Sequence, residues 1–226
     1  MNVSKMIVLG IDEAGRGPVI GPMVVAGAAT TEGKLRYLEK YITRDSKGYS
    51  RSKREELFYI IKSRVDFIKY YLVSAQEIDK WILNKHNQSK GLNNLEAFYY
   101  SKIILDALSI FKERLARIYV DSCDMDPDRF KSRILNFLGK KYAKLKDNII
   151  SEHRADEKYC IVSIASIIAK VIRDREIERL KSIYGDFGSG YPSDPKTRKF
   201  IKELIGKKGS CNIVRYSWKT IKRVRE

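Results

Sequence analysis

Sulfur is scarce in this chain. Three cysteines, Cys123, Cys160 and Cys211, are spread over 226 residues, an odd number without Cys-x-x-Cys spacing. That leaves no basis for a disulfide framework or a zinc site, and the three read as structural thiols. Long apolar runs are missing as well. No stretch reaches the roughly 20 residues that cross a bilayer, and the opening "MNVSKMIVLG" lacks the apolar core and small-residue cleavage site of a signal peptide. A cytoplasmic protein is expected. No internal repeat or low-complexity tract is visible. Acids are in deficit: 28 Asp and Glu stand against 45 Lys and Arg, a formal net charge of +17. So large an excess favours a polyanionic partner, nucleic acid before an anionic membrane surface.

With 43% hydrophobic residues the chain can build one sizeable core, or one core and a small appendage. Residues 7–11 read as a strand, and "MVVAGAAT" (23–30) as a second that the Gly/Pro turn between them folds back into a hairpin. "DFIKYYLVSA" (66–75) is a third, after a charged helical segment over 51–64. Further on, Ala97, Tyr100, Ile104, Leu108 and Phe111 recur at the spacing of one helix face. "RIYVD" (117–121) reads as a strand, 126–139 as a helix opened by an acid and Pro127, and 148–153 as a short strand. A long helix is predicted from Lys158, and nine of the twelve residues from Ile161 to Ile172 are apolar, so it should be central and buried nearly all round. Past Ile172 it turns charged and should leave the core. A Gly/Pro-rich loop follows at 184–195, then a basic, mostly helical region with ten Lys/Arg and two Glu from Arg198 onward. The order of elements predicts an α/β fold, one mixed sheet flanked by helices with a C-terminal helical region.

The acids are placed unusually. The first strand runs straight into Asp12 and Glu13, and then into Gly15, Arg16 and Gly17. Side chains alternate along a strand, so the two acids serve one site only if the strand ends or bulges at Glu13, a break the glycines would allow. On this stretch alone, an ordinary strand-to-turn exit with two solvated acids fits equally well. Asp121 ends another aliphatic strand in the same way, and Asp156 stands just before the buried helix. If the two strands are neighbours, Asp12 and Asp121 meet at their carboxyl ends and the helix start presents Asp156 to them. For Asp156 alone, a helix-dipole interaction would suffice. Carboxylates so gathered repel unless a cation compensates them, and oxygen-only ligands suit Mg²⁺ or Mn²⁺. Two such ions about 3.5–4 Å apart can activate water and stabilise the leaving oxygen of a phosphodiester.

The strings "GIDEAGRGPVIGPMVVAG" (10–27), "DSK" (45–47), "LNNLEA" (92–97), "YVDSCD" (119–124), "EHRADEKY" (152–159), "ASIIAK" (165–170) and "GSGYPSDP" (188–195) occur in this order. Together they resemble the ribonuclease HII family, and "VRYSWKT" (214–220) resembles its archaeal branch. The resemblance covers nearly the whole chain. It implies a ribonuclease H-like sheet with a four-carboxylate, divalent-metal site, a catalytic domain over 1–190 and a basic C-terminal helical region packed on it over 191–226. The implied activity is cleavage of the RNA strand of RNA/DNA hybrids and of the 5′ side of ribonucleotides embedded in duplex DNA, leaving 3′-hydroxyl and 5′-phosphate ends. The implied metal ligands are Asp12, Glu13, Asp121 and Asp156. Gly15, Arg16 and Gly17 correspond to the motif that reads the 2′-hydroxyl and adjacent backbone, Tyr191 to a tyrosine that packs on the following deoxyribose, and Lys47 to a backbone-contacting lysine. Without the family, these would read as a solvated turn arginine, a local packing residue and a surface lysine. His153 reads as a polar residue at a strand end rather than a proton shuttle.

The sequence departs from the family at "DSKGYS", where a Lys-Leu-Ser-like continuation is usual, and at Cys160, where proline is common. The closing "IKRVRE" carries no Gln-x-x-apolar-x-x-aromatic pattern, so a sliding-clamp contact is not expected from it. A monomer is the default. Two other readings stay open at this level: another carboxylate two-metal nuclease of the superfamily, such as a junction resolvase, and a nucleic-acid-binding module without catalysis.

Overall fold

A computed structural model describes residues 6–42, 48–83, 91–206 and 211–221. The apolar run at the start becomes the central strand β1 (Ile7–Ala14), which pairs antiparallel with β2 (Met23–Thr31) from Ile7 opposite Thr31 to Ala14 opposite Val24. The edge strand β3 (Phe67–Val73) pairs antiparallel with β2. On the other side of β1, β4 (Leu115–Asp121) and then β5 (Ile149–Glu152) run parallel to it, giving a mixed sheet in the order β3-β2-β1-β4-β5. β1 is buried on both faces, as a run without polar alternation demands.

Each face has its own helix. Ile7, Leu9 and Ile11 point towards α4 (Leu92–Phe111), where Leu95, Tyr100, Ile103, Ile104 and Phe111 close the larger core. Val8 and Ala14 point the other way, towards α7 (Cys160–Tyr184). As the nine-in-twelve pattern predicts, α7 is buried without interruption from Cys160 to Ala169. Its backbone lies so close to the sheet that a Cβ on Gly10 would collide with the main-chain carbonyl of Ile161. Glycine at this position sets the spacing between helix and strand. Around this frame lie α1 (Glu32–Leu38), α2 (Arg51–Arg64), α3 (Ala75–Leu83) and α5 (Pro127–Leu138), the last capped by the Asp126 side chain as its Asp-Pro start predicts.

The structure corrects three expectations. β1 neither ends nor bulges at Glu13 but stays in register with β2 through Ala14. The short helices α1 and α3 follow β2 and β3 where no helix is anticipated, because seven- and nine-residue helices carry too few turns to show a periodicity. The charged half of α7 leaves the interior only in part: most of it is half-buried or exposed. Ile177 and Leu180 enter a third core with Val19, Ile20, Phe187, Val214 and Ile201 of α8 (Pro195–Gly206), which ties the turn after β1 to the C-terminal region. Among the described residues, no helix is long and apolar enough to cross a membrane.

Gly10→Ala tests the close approach of α7. The added methyl meets backbone rather than a movable side chain, so the variant should lose about 2 kcal/mol of folding free energy. Urea denaturation should show a lower midpoint at an unchanged slope.

Candidate active site

The regular register of β1 divides the adjacent acids between the two faces of the sheet. Asp12 lies on the α7 side, 5% exposed, and one of its oxygens accepts the backbone N–H of Glu13 at 2.7 Å. Glu13 points to the α4 side, where it accepts the hydroxyl of buried Tyr100 at 2.6 Å. The parallel pairing of Ile11 with Val120 sets Asp121 beside Asp12 at the strand ends.

Asp121 then organises the next acid. Its Oδ1 accepts the N–H of Ala155 at 2.7 Å, which fastens the one-turn helix α6 (Ala155–Lys158) carrying Asp156, 3% exposed. The chain enters α6 through Arg154 in the left-handed region, φ 55°, and Ser163 of α7 donates to the Asp156 carbonyl. A tight turn held from both sides therefore delivers Asp156.

Burial and then the negative charges of Glu13, Asp121 and Asp156 push the Asp12 carboxyl well above its usual range, against the opposing effect of the Ser166 hydroxyl. Among the described residues, no three His, Cys, Asp or Glu side chains are drawn together as a ready cage for a metal ion. Asp12, Glu13 and Asp121 each rest an oxygen on a protein donor instead. The donor set nevertheless fits a hard divalent cation, because it is all oxygen and its repulsion on Asp12 is of the kind such an ion relieves.

The turn after β1 is built around a side chain from the far end of the chain. Gly15 has φ 85°, and a Cβ there would stand 2.8 Å from the Pro22 carbonyl. Arg215, fully buried, donates Nη2 to Gly15 O at 2.7 Å, Nη1 to Arg16 O at 2.9 Å and Nε to Gly21 O at 2.9 Å. The Trp218 indole stacks 5.0 Å from the Arg215 guanidinium and donates to Gly17 O at 3.3 Å. Asp79 of α3 holds this tail by accepting the N–H groups of Tyr216 and Ser217. Sequence reasoning assigns no role to Arg215 or Asp79. The "VRYSWKT" string marks the first only as part of a resemblance, and nothing marks the second.

Two further groups converge on this turn. The Gly190 carbonyl accepts the N–H of Val19 at 2.8 Å and of Ile20 at 3.2 Å, so the 185–194 loop is bound to it. That brings Tyr191, 40% exposed, to 3.3 Å from the position of a Cβ on Gly17, with the Arg173 guanidinium 5.5 Å from its ring. The Arg16 guanidinium reaches α4, where Nη1 binds Glu96 and Nη2 binds Asn93 at 2.6 Å. Lys47 lies outside the described residues. The His153 ring faces the carbonyls of Ser122 and Met125, at 3.4 and 3.2 Å, a backbone-holding place at the end of β5.

The family model described as ribonuclease HII matches residues 9–221. Ribonuclease HII of Pyrococcus abyssi is 45% identical over 222 residues, 98% of this chain and 92% of the relative. The crystal structure of ribonuclease H2 from Pyrococcus horikoshii superposes with a TM-score of 0.81 at 43% identity, covering 97% of each chain. Ribonuclease HII from Archaeoglobus fulgidus, solved in complex with PCNA, superposes with a TM-score of 0.79 at 41% identity, again with 97% of each chain covered.

Arg215→Met should strand the carbonyls of Gly15, Arg16 and Gly21 in a dry interior, a loss of about 3 kcal/mol or more. Chemical denaturation measures it. Stability within about 0.5 kcal/mol of the parent would remove Arg215 as the support of the turn.

Proposed function

The chain belongs to the ribonuclease HII family, endoribonucleases that cleave the RNA of RNA/DNA hybrids and cut at ribonucleotides in DNA, and on that premise we propose the following division of labour among its residues. Asp12, Glu13, Asp121 and Asp156 would hold the metal on which this family depends. The observation that supports this most directly is the bond from Ala155 N–H to the Asp121 carboxylate, which delivers Asp156 to the end of β4, beside Asp12. Held there, Mg²⁺ or Mn²⁺ would supply activation of water and neutralisation of the leaving oxygen, the chemistry of a two-metal site. Hydrolysis on the 5′ side of the ribonucleotide then leaves 3′-hydroxyl and 5′-phosphate ends.

Reading of the ribonucleotide falls to Gly15, Arg16 and Gly17, in a turn that Arg215 fixes from beneath by taking the carbonyls of Gly15 and Arg16. A 2′-hydroxyl accepts as well as donates, so main-chain N–H groups and a guanidinium can distinguish it from deoxyribose. Tyr191, set against Gly17, offers an exposed ring for the following deoxyribose, and Lys47 adds a backbone contact. The reading takes residues 1–190 as the catalytic domain and 191–226 as a basic C-terminal region, in a cytoplasmic monomer.

Deleting that region is not a clean test of its charge, because Ile201, Val214, Arg215 and Ile221 are part of the interior. Arg215 is buried and cannot serve a phosphate. Arg198, Lys199 and Lys202 border an open cleft on α8 and are better placed to do so. Changing all three to Gln should weaken duplex binding and flatten the slope of log K against log salt by about 2 to 3.

The decisive assay is a denaturing gel of an end-labelled DNA duplex carrying one ribonucleotide. A cut 5′ of the ribonucleotide should require Mg²⁺ or Mn²⁺, vanish with chelator, and fall on the order of a thousandfold in Asp121→Asn. Undiminished cutting by Asp121→Asn would remove Asp121 from the ligand set.

A further inference from the structure

The string "LNNLEA" carries part of the family resemblance but has no role in the scheme above. It forms the first turns of α4, and its Asn93 and Glu96, three apart and so on one helix face, both accept from the Arg16 guanidinium. We infer that Glu96, seconded by Asn93, is a positioning residue for Arg16, fixing its guanidinium in advance at the place where the ribonucleotide is read.

The pair is lopsided in a way that suits positioning better than stability. The Glu96 side chain is entirely buried, whereas the Arg16 side chain is 35% exposed. Burial, with Glu13 nearby, raises the Glu96 carboxyl to about 8, and Arg16 and a hydrogen bond with Cys123 oppose this. A buried carboxyl paired with a half-open arginine adds little to folding, since an apolar side chain of similar size would serve at least as well. What the pair does supply is geometry. Two acceptors on one rigid helix take two nitrogens of a planar guanidinium and leave it little freedom to turn. The main chain of Arg16 is held independently, by Arg215 at its carbonyl, so the residue is pinned at both ends. Arg16 still lines an open cleft with Gly17, Leu92 and Trp218, so it remains accessible to a ligand.

The acceptors are themselves braced. The Asn93 amide lies against Asp124, a buried carboxylate that also takes Arg129 and Arg133, and Arg133 continues to Asn94. Asp124 follows Asp121 by three residues, so the segment that ends β4 in a metal-ligand candidate also anchors the support of Arg16. An arginine ordered before substrate arrives need not be ordered by it, and the benefit belongs to binding rather than to hydrolysis.

This inference rests on the assignment of Arg16 to ribonucleotide reading, and the experiment separates the two. kcat and KM are measured with the full chain and saturating Mg²⁺, on the duplex with one ribonucleotide, for Arg16→Ala, Glu96→Ala, Glu96→Gln, Asn93→Ala and the double variant Arg16→Ala/Glu96→Ala. Thermal melts accompany each. Glu96→Ala should raise KM roughly tenfold or more with kcat changed less than about threefold, as expected when a charge-assisted contact is lost from binding. Glu96→Gln, which keeps an acceptor, should recover most of the loss, and the double variant should be no worse than Arg16→Ala alone. Asn93→Ala should show a smaller rise of the same kind, which keeps the inference testable if Glu96→Ala does not fold. An effect of Glu96→Ala that persists in full on top of Arg16→Ala, or that falls on kcat, would mean that Glu96 acts through Glu13 or the fold and would overturn the inference. So would a normal KM in both Glu96→Ala and Asn93→Ala while Arg16→Ala is impaired. A normal KM in Arg16→Ala removes the reading of Arg16 itself, and the inference with it.

Discussion

The guanidinium of Arg215 is the interaction on which the arrangement of the site depends. It sits without solvent exposure inside the turn after β1 and satisfies three carbonyls that no regular element serves. The turn can therefore hold a conformation with Gly15 in the left-handed region, and residues 211–221 become part of the site's foundation rather than an appendage. The isolated bridge between Ile20 and Val214, the bonds from Val19 and Ile20 to Gly190, and the hold of Asp79 on Tyr216 and Ser217 extend the same tie to the 185–194 loop and to α3. Parts of the sequence some 200 residues apart thus fix one eight-residue turn.

The second organising constraint is the two-residue repeat of β1. Because the strand stays regular, Asp12 faces α7 and Glu13 faces α4. The α7 side collects Asp12, Asp121 and Asp156, charges that crowd one another. The α4 side collects Glu13, Tyr100, Glu96 and Arg16, a hydrogen-bonded and ion-paired set in which each acid already meets a donor. In the proposed reading, hydrolysis belongs to the first side and recognition to the second, and the adjacent pair of acids is where they meet.

The net charge of +17 takes on a more specific meaning against the fold. Part of it is committed within the fold. Arg215 is buried, and Arg129 and Arg133 share the single carboxylate of Asp124. The cations left for a polyanion are fewer than the composition suggests, and α8 carries several of them. The basic character that first pointed to nucleic acid is therefore also a structural resource.

Much of this molecule was legible before any coordinates. The apolar run into Asp12, the run into Asp121, the buried stretch from Ile161 and the Asp-Pro start of α5 are local signals, and each becomes the predicted element, because burial on both faces or a cap leaves its mark in consecutive residues. The break at Glu13, expected if the two acids share one site, does not occur, because β1 keeps its two-residue alternation through Ala14; in the proposed reading the sheet end is served from both faces. Lys47 lies outside the described residues, and its expectation stands where the motif left it. What only the tertiary structure decided is which distant groups meet: Arg215 under the turn, Asp79 on the tail, Glu96 and Asn93 on Arg16, and the Ala155 N–H on Asp121. Periodicity records how a segment meets solvent and core, whereas a hydrogen bond between residues 15 and 215 depends on the path of all the chain between them, and no window of sequence contains it.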